Sequence, residues 1–435
     1  MEKSLTAFIG LSHLGLVTSF VWASKNPRVL GVDKDQEIIN SLLTGKLLIK
    51  EGEQILVEKG LEDLFKKVGK DYIPTADFSK LSDADLVLFT LDTPKDKPSQ
   101  EKLNDLINSA LPYFKQKAAI VIMSQVPVGY CREVYHRIKK QRPDLDFDLY
   151  HWVDILIMTN AIERFSKPER IIIGSFDNSK PLSPTLTKAL KLFRCPVFHL
   201  SYESAELTKA AINLYLSNSV TFANTLSDYA EAVGANYNDI IPALQSDKRI
   251  GAFSYIRPGL RIAGGHLERD LLMLKRLAKR KKISTGSVEF ILKQNKNRFR
   301  WVLEKIKSAK LGGNNICIWG LAYKEYSAST RNAASIEIIK SLSKKYSIHV
   351  YDPIAIIPNS VNGYKRYADK YKALKGADGL LILTAWDEFK NIDVNKIKAL
   401  MRSKLIIDGV GILEKQKNHL REFSYISMGV GQSPN

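Results

Sequence analysis

The sequence predicts an α/β protein with two doubly wound parallel sheets joined by a helical central segment. Short runs of β-branched and other apolar residues alternate with amphipathic stretches in the first half of the chain, and they do so again after residue 312. From about residue 203 to residue 294 long helical periods dominate instead. Apolar strands that alternate with helices indicate a parallel sheet covered by helices on both faces. We therefore expect three domains, at residues 1–200, 201–300 and 301–435.

Each element of the two α/β domains is predicted from its own pattern of apolar residues. In the first domain we expect strands at residues 6–10, 29–33, 86–90 and 119–123, with helices at residues 14–24, 35–43 and near 101–114. A long helix is predicted to begin near Glu203 and to run toward Val233. In the last domain we expect strands at residues 316–320, 347–352, 379–384 and 404–408.

Composition and charge limit the class of protein. No apolar run reaches the roughly 18 residues that a membrane span needs, and the first residues do not have the pattern of a secretion signal, so we expect a cytoplasmic protein without membrane association. The three cysteines lie far apart, which makes a disulfide framework or a zinc site unexpected. The net charge of +19 favours anionic partners. Its densest basic run, residues 275–282, is interpreted as a solvated helix face, and no nucleic-acid-binding motif accompanies it.

The loop after the first strand has the pattern of a phosphate-binding loop. Gly10, Ser12 and Gly15 form G-x-S-x-x-G, in which the first glycine makes a tight turn and the last allows close packing of the helix on the sheet. Ser12 replaces the glycine that lets the backbone approach a pyrophosphate, so its side chain either obstructs the phosphate or donates to it. Asp33 ends the next strand, where a carboxylate binds the ribose hydroxyls of NAD. This pattern predicts a Rossmann-like, NAD-binding first domain; the alternative is the same fold without a cofactor.

Motifs spread over nearly the whole chain resemble those of the UDP-glucose/GDP-mannose dehydrogenases. The segments that carry the resemblance are FIGLSHLGLV at residues 8–17, GVDKD at 31–35, SQVPVG at 124–129, ESAELTK at 203–209 with Asn213, RIG at 249–251, GGH at 264–266 with Asp270, GLAYK at 320–324 with Thr330 and Arg331, VYDP at 350–353, and TAWDEF at 384–389. The resemblance implies two Rossmann-like domains joined by a helical dimerisation domain, with NAD as cofactor and a nucleotide-linked sugar as substrate.

Enzymes of this family remove two hydrides from C6 of the sugar, and the resemblance assigns roles in that chemistry. Lys209 and Asn213 match the pair that stabilises the oxyanion, and their i, i+4 spacing places them on one face of a helix. Asp270 matches the aspartate that is associated with the active-site water and lysine. Without the resemblance, a lysine and an asparagine at this spacing would be interpreted as surface residues.

Two departures from the family pattern concern the catalytic groups themselves. The family reads GGSC or GGHC before its aspartate, whereas residues 264–270 read GGHLERD, one residue short and without the cysteine. His266 takes the place before that cysteine. Asp154 aligns with the glutamate that acts as base, and its side chain is one methylene shorter. Cys131 follows the 124–129 loop and is interpreted as a buried structural thiol, with a helix-activated thiol as the alternative.

The resemblance also assigns residues that contact the substrate and the cofactor. Arg249 matches an arginine that reaches the substrate of a neighbouring subunit, which implies a homodimer. Phe253 and Tyr255 lie where the family has its sugar-nucleotide loop. Lys324 and Arg331 match positions that line the substrate and cofactor sites, where cationic side chains suit a diphosphate. Surface solvation is the alternative interpretation for each basic residue.

Two functions are compatible with this pattern. The first is an NAD-dependent oxidoreductase that acts on the CH–OH group of a UDP- or GDP-linked sugar in polysaccharide precursor synthesis and stops before four-electron oxidation. The second is an inactive paralogue that binds a nucleotide sugar or a partner dehydrogenase. Net charge alone suggests a nucleic-acid binder, which is the weakest of the three interpretations.

Overall fold

The computed structural model describes residues 4–47, 50–51, 54–55, 58, 60–93, 97–156, 160–264, 266–309 and 311–431. It divides into two compact units, residues 1–211 and 212–435. The three domains predicted from the sequence remain a prediction.

None of the helices in the described residues combines the length and the apolar character that a membrane span needs.

The first unit contains an eight-stranded sheet. Its strands are β1 (Leu5–Ile9), β2 (Val29–Val32), β5 (Tyr72–Thr75), β6 (Ala84–Phe89), β7 (Ala118–Ile122), β8 (Phe147–Trp152), β9 (Ile171–Ser175) and β10 (Val197–Ser201). Between β2 and β5, β3 (Lys50–Glu51) and β4 (Gln54–Ile55) form a separate antiparallel pair. The strand order is β10-β9-β8-β7-β6-β1-β2-β5, and every pair is parallel except β8 with β9. The order β5-β2-β1-β6-β7-β8 is that of a Rossmann fold, which confirms the predicted fold class.

Helices cover both faces of this sheet. They are α1 (His13–Lys25), α2 (Gln36–Leu43), α3 (Leu61–Val68), α4 (Lys97–Ala110), α5 (Tyr130–Gln141), α6 (Ala161–Ser166) and α7 (Pro184–Leu190). In β1, Phe8 points into one apolar core, and Ala7 and Ile9 point into the other. Because α1 packs into the first core, its residues from His13 to Ala23 are all buried.

The second unit contains a six-stranded sheet that is parallel throughout. Its strands are β11 (Asn315–Trp319), β12 (Ser347–Tyr351), β13 (Tyr364–Arg366), β14 (Gly379–Ile382), β15 (Leu405–Asp408) and β16 (Ser424–Ser427), in the order β13-β12-β11-β14-β15-β16. This order repeats that of the first unit, so the chain contains two Rossmann-like sheets. The helices packed with this sheet are α13 (Ala334–Leu342), α14 (Lys370–Leu374), α15 (Asp387–Lys390) and α16 (Val394–Leu400).

The middle of the chain is helical, as the sequence predicts. It consists of α8 (Tyr202–Ala232), α9 (Tyr237–Ser246), α10 (His266–Lys281), α11 (Gly286–Asn297) and α12 (Arg300–Ser308). Residues 275–281 of the basic run form the last turns of α10 and Lys282 follows the helix, which confirms that the run lies on a helix and at its exit. The boundary between the two units falls within α8, between Ala211 and Ile212.

The predicted elements differ from the observed ones at their ends, and six observed strands of the two sheets were not among the predicted ones: β5, β8, β9, β10, β13 and β16. Helix α4 begins at Lys97, earlier than the predicted residue 101, and ends at Ala110, followed by a 3-10 turn over Leu111–Tyr113. Pro98 lies in the first turn of α4, where a missing amide costs nothing. Pro112 cannot donate the amide that would continue the helix, so the chain tightens into the 3-10 turn.

Candidate active site

The loop between β1 and α1 needs glycine at both ends of its motif. Gly10 has a φ of +89°, and a Cβ there would lie 2.9 Å from the Cβ of Leu91. A Cβ on Gly15 would lie 2.1 Å from the carbonyl oxygen of Gly10. The first and last glycines thus have the roles that a dinucleotide-binding loop gives them, a tight turn and close packing of the helix on the strand.

Asp33 follows β2 and holds this loop in place. Its carboxylate accepts hydrogen bonds from the amides of Leu11 at 2.6 Å and Asp35 at 2.9 Å. Burial raises the pKa of Asp33, and the backbone donors oppose that effect. The backbone of Lys34 also bonds to this carboxylate. A carboxylate has about four acceptor positions, so capacity for a ribose hydroxyl remains. That role for Asp33 remains a prediction.

Ser12 does not project its hydroxyl away from the protein. The hydroxyl donates to the carbonyl oxygen of Thr90 at 3.1 Å and accepts from the amide of Asp92 at 2.8 Å. In return, the Asp92 carboxylate accepts from the amide of Leu14 at 3.0 Å. These three hydrogen bonds join the loop after β1 to the segment after β6, and together we call them the Ser12–Asp92 clasp.

The first residue of α1 carries a buried ion pair. His13 Nε2 lies 3.1 Å from Glu58 Oε2, and the other oxygen of Glu58 accepts from the amide of Ala161 at 3.0 Å. Burial alone would lower the pKa of His13, but the hydrogen bond to Glu58 and the nearby carboxylates of Asp92 and Asp154 outweigh burial and raise it. A histidine with a raised pKa keeps more of its positive charge near neutral pH.

These residues fit a dinucleotide with one exception. The two glycines, the start of α1 and Asp33 lie at the carboxyl ends of β1 and β2, beside the point where the strand order reverses between β1 and β6. Ligands of doubly wound sheets bind at such a point. The exception is Asp92, because its carboxylate occupies an amide at the helix N-terminus, the kind of donor that a pyrophosphate uses.

In the first unit the structure brings Lys209 and Asp154 together. The Lys209 ammonium donates to the carbonyl oxygen of Asp154 at 2.7 Å and lies 3.9 Å from the carboxylate oxygen Oδ2. Both side chains are about 15% exposed. The other carboxylate oxygen accepts from the amide of Leu156 at 2.8 Å, so the backbone after β8 fixes the orientation of the carboxylate. The pair is an ammonium and a carboxylate held close together and shielded from most solvent.

In the second unit the structure brings Asn213 and Asp270 together. The Asn213 side-chain amide donates to Asp270 Oδ2 at 2.5 Å, and Arg269 Nε lies 3.2 Å from Oδ1. Asp270 is 1% exposed, so both of its oxygens are buried with a donor on each. Asn213 lies on α8 one turn after Lys209, as the i, i+4 spacing predicts.

Lys324 and Arg331 belong to the loop that follows β11. This loop repeats the arrangement of the first unit, because Asp352 after β12 accepts from the amides of Leu321 and Ala322, as Asp33 does from Leu11. The Lys324 ammonium lies 5.9 Å from the centre of the Tyr323 ring. The backbone carbonyl of Arg331 accepts from the amide of Gly264, so this loop is bonded to the segment that precedes α10.

Arg249, Phe253 and Tyr255 lie on the surface of the second unit. The Arg249 side chain is 89% exposed and forms an ion pair only two residues away, with Asp247 at 2.6 Å. Phe253 is fully exposed and Tyr255 is 57% exposed. The described residues therefore show these three side chains as an exposed group, and their predicted contact with substrate remains a prediction.

The cysteines of this chain offer no activated thiol. Cys131 lies in the first turn of α5 but is fully buried, and burial together with the Glu206 carboxylate raises the pKa of its thiol well above the usual value. Burial likewise raises the pKa of Cys317 in β11 and of Cys195. The structural interpretation of Cys131 is therefore supported, and the helix-activated alternative is wrong. The Glu206 carboxylate accepts hydrogen bonds from the amides of Gly129 and Cys131, and its negative charge opposes formation of the thiolate.

Asp92 and the pair of His13 with Glu58 are site residues that the sequence analysis missed. One signal was available for Asp92, which comes shortly after β6, the strand beside β1 at the reversal of strand order. Polar residues after either of these two strands are candidates for the ligand crevice. Glu58 gave no such signal, because it lies 45 residues from His13.

Models of one protein family match most of the chain. Three models of the UDP-glucose/GDP-mannose dehydrogenase family match it: the NAD binding domain at residues 4–192, the central domain at 203–297 and the UDP binding domain at 317–415. The chain is 28% identical to the UDP-glucose 6-dehydrogenase TuaD of Bacillus subtilis, over 97% of this chain and 92% of that protein. It is also 28% identical to the UDP-glucose 6-dehydrogenase of Rhizobium meliloti, over 97% and 98% of the two chains.

Solved structures show the same fold. The structure of a UDP-glucose dehydrogenase from Pyrobaculum islandicum superposes with a TM-score of 0.84 at 23% identity and covers 99% of this chain and 98% of that one. The structure of a UDP-D-ManNAc dehydrogenase from Pyrococcus horikoshii gives a TM-score of 0.83 at 21% identity, with 98% and 99% covered. Together with the three family models, these relatives show that the chain belongs to the UDP-glucose/GDP-mannose dehydrogenase family, whose members are NAD-dependent nucleotide-sugar dehydrogenases.

Proposed function

We propose that the protein oxidises a CH–OH group of a UDP- or GDP-linked sugar with NAD and releases the product of a single two-electron step. The observation that carries this proposal is the pairing of Lys209 with Asp154, combined with the absence of an activated cysteine. The family provides the cofactor and the substrate class. The residues of this chain determine how far the oxidation proceeds.

We assign the role of general base to Asp154. As a carboxylate it accepts the hydroxyl proton of the sugar, directly or through one water, while the carbon loses a hydride. Bound NAD supplies the acceptor for that hydride. The Lys209 ammonium lies beside Asp154 and provides positive charge for the oxygen that becomes negative as the proton leaves.

Asn213 and Asp270 have a supporting role in this proposal. Asn213 lies one helical turn from Lys209 and carries an amide donor of the kind that stabilises an oxyanion. Asp270 holds that amide in one orientation through the bond to its Oδ2. This pair sets the direction of the amide.

The second oxidation step requires a nucleophile, and this sequence lacks the cysteine that the family uses for it. An aldehyde loses a second hydride efficiently only after a nucleophile has added to it, and the family uses a cysteine thiolate for this addition. Residues 264–270 contain no cysteine. The three cysteines elsewhere have thiols with raised pKa values. We therefore propose an aldehyde or ketone as product.

The stoichiometry of the reaction tests this proposal. The full chain is incubated with NAD and each of a panel of UDP- and GDP-linked sugars, and NADH is quantified against consumed sugar. One NADH per sugar, with a carbonyl product that hydroxylamine traps, is the expected result. Two NADH per sugar and a carboxylate product would contradict the single-step proposal, and no NADH with any sugar would contradict the oxidoreductase assignment.

An inactive paralogue is the second candidate, and the Ser12–Asp92 clasp favours it. A protein that no longer binds NAD productively could retain its nucleotide-sugar loops, or pair with an active dehydrogenase. Binding of a nucleotide sugar without turnover in the same panel would support this candidate. A role in polysaccharide precursor synthesis is proposed for either case, by likeness to the family.

We also propose that the protein forms a homodimer through α8. Tyr215, Phe222 and Tyr229 lie seven residues apart on this helix and are 62%, 46% and 65% exposed. A seven-residue repeat places them along one side of the helix, and an aromatic stripe of this kind suits a second copy of the same helix. Arg249, Phe253 and Tyr255 would then be available to the partner's substrate, as the family resemblance implies.

A further inference from the structure

The N-terminus of α1 is already capped by a carboxylate from the segment after β6. Ser12 is the N-cap residue, but its hydroxyl makes no bond to the amides of its own helix. The cap is instead Asp92, whose carboxylate accepts from the Leu14 amide at 3.0 Å. The amide of Asp92 donates to the Ser12 hydroxyl at 2.8 Å. Asp92 is thus held at the helix end through its backbone amide as well as through its carboxylate.

A carboxylate in this position competes with a phosphate for the same interactions. The N-terminus of a helix carries a partial positive charge and free amide donors, and both features stabilise an anion that binds there. Asp92 uses an amide of the first turn and offsets part of that charge. A pyrophosphate that approaches the same turn must displace the carboxylate or accept its repulsion.

We propose that Asp92 acts as an internal substitute for the cofactor phosphate, so that the Ser12–Asp92 clasp must open before the dinucleotide binds and the affinity for NAD is lowered accordingly. This inference rests on the proposed function in one respect, namely that the loop from Gly10 to Gly15 receives the pyrophosphate. It makes Asp92 a residue that determines cofactor affinity in this chain. The clasp also explains why a serine is accommodated at position 12, since its hydroxyl anchors the competing residue.

The alternative is that Asp92 is a helix cap and nothing more. A cap of this kind stabilises the fold, and its loss lowers stability without changing affinity for the dinucleotide. The two roles separate on replacement with asparagine, because Asp92→Asn keeps an oxygen that accepts from the Leu14 amide and removes the negative charge. Competition predicts tighter binding by the variant, whereas capping alone predicts unchanged binding.

The experiment measures the dissociation constants of NAD and of ADP-ribose by calorimetry on the full chain. The variants are Asp92→Asn and Ser12→Gly, which releases the Asp92 amide and restores three glycines to the motif. The matched control is Asp393→Asn, because Asp393 caps α16 in the second sheet through the Lys396 amide. Circular dichroism and thermal melting confirm that each variant is folded.

We expect Asp92→Asn to tighten both ligands by roughly threefold to thirtyfold, the range that corresponds to removing a charge from a helix terminus. Ser12→Gly is expected to shift affinity in the same direction, and Asp393→Asn to leave it unchanged. Equal affinities in the wild type and both site variants would overturn the proposal and leave the proposed function intact. Absence of binding in the wild type and in every variant would overturn both. If Asp92→Asn does not fold, the Ser12→Gly result decides.

Discussion

Lys209 and Asp154 are joined twice, through the 2.7 Å bond from the ammonium to the backbone carbonyl of Asp154 and through the 3.9 Å ion pair with its carboxylate. The backbone bond fixes the position of the ammonium independently of the carboxylate. A change in the Asp154 side chain therefore leaves Lys209 in place, and each partner can be tested separately.

Replacing Lys209 with methionine is expected to reduce kcat/KM for NADH formation by about 10²–10³-fold, since it removes the charge that stabilises the developing oxyanion. Asp154→Asn is expected to abolish activity because an amide cannot accept the proton, and Asp154→Glu to retain it. Lys188→Met, at the end of α7, serves as the matched control. A Lys209→Met enzyme with wild-type kcat/KM would contradict the assignment.

Asn213→Ala is expected to destabilise the protein by about 1–3 kcal/mol, because it removes the amide that donates to Oδ2 of the buried Asp270 carboxylate. Arg269 still contacts the other oxygen, which limits the loss. The measurement is the urea midpoint of unfolding. The control is Asn391→Ala, because Asn391 is an exposed asparagine that follows α15. An unchanged midpoint would show that Asp270 finds another donor.

Stability is expected to fall as the pH rises, to the extent that His13 contributes. The pKa of His13 is raised above its usual 6.5 by Glu58, Asp92 and Asp154, against the effect of burial. A raised pKa in the folded state means that the contribution is complete below 6.5 and is lost as the pH rises through the folded value. The free energy of unfolding of the wild type, minus that of His13→Gln, should therefore decrease as the pH rises from about 6.5 through the raised pKa of His13 in the folded protein. A constant difference would contradict the charged pair.

The two sheets could be predicted from the sequence because their strands are apolar runs bounded by turn residues. Parallel strands buried on both faces must have this composition, and β1, β2 and β11 accordingly begin and end within one or two residues of the prediction. The position of Lys209 and Asn213 one turn apart on the same helix also follows from local spacing alone.

The partners of the site residues could not be predicted in the same way. Ser12 and Asp92 are 80 residues apart, and Asn213 and Asp270 are 57 apart, so only the folded chain shows that they are bonded. The sequence left two alternatives for the Ser12 side chain, which either obstructs a phosphate or donates a hydrogen bond to it. The structure shows a third outcome, in which its hydroxyl is bonded within the protein.

Cys131→Ala is expected to leave the rate of NADH formation unchanged, because the thiol is buried, its pKa is raised, and it has no part in the proposed chemistry. In the native protein, Cys131 and Cys317 should not react with a thiol reagent at neutral pH, and all three cysteines should react after unfolding. Rapid modification of native Cys131 accompanied by loss of activity would contradict this prediction and indicate that Cys131 acts as a nucleophile.

Phe222→Lys is expected to convert the proposed dimer to a monomer, because it places a charge in the centre of the aromatic stripe on α8, between Tyr215 and Tyr229. Light scattering after size exclusion should give about 98 kDa for the wild type, twice the 49.0 kDa of one chain, and about 49 kDa for the variant. The matched control is Phe290→Lys on α11, where the phenylalanine is 51% exposed, similar to the 46% of Phe222. A wild-type monomer would contradict the proposed homodimer. A dimer that Phe222→Lys leaves intact while Phe290→Lys dissociates it would place the interface on α11 instead of α8. Because Arg249 can serve a neighbouring substrate only across an interface, the monomeric variant should also lose turnover while it retains NAD binding.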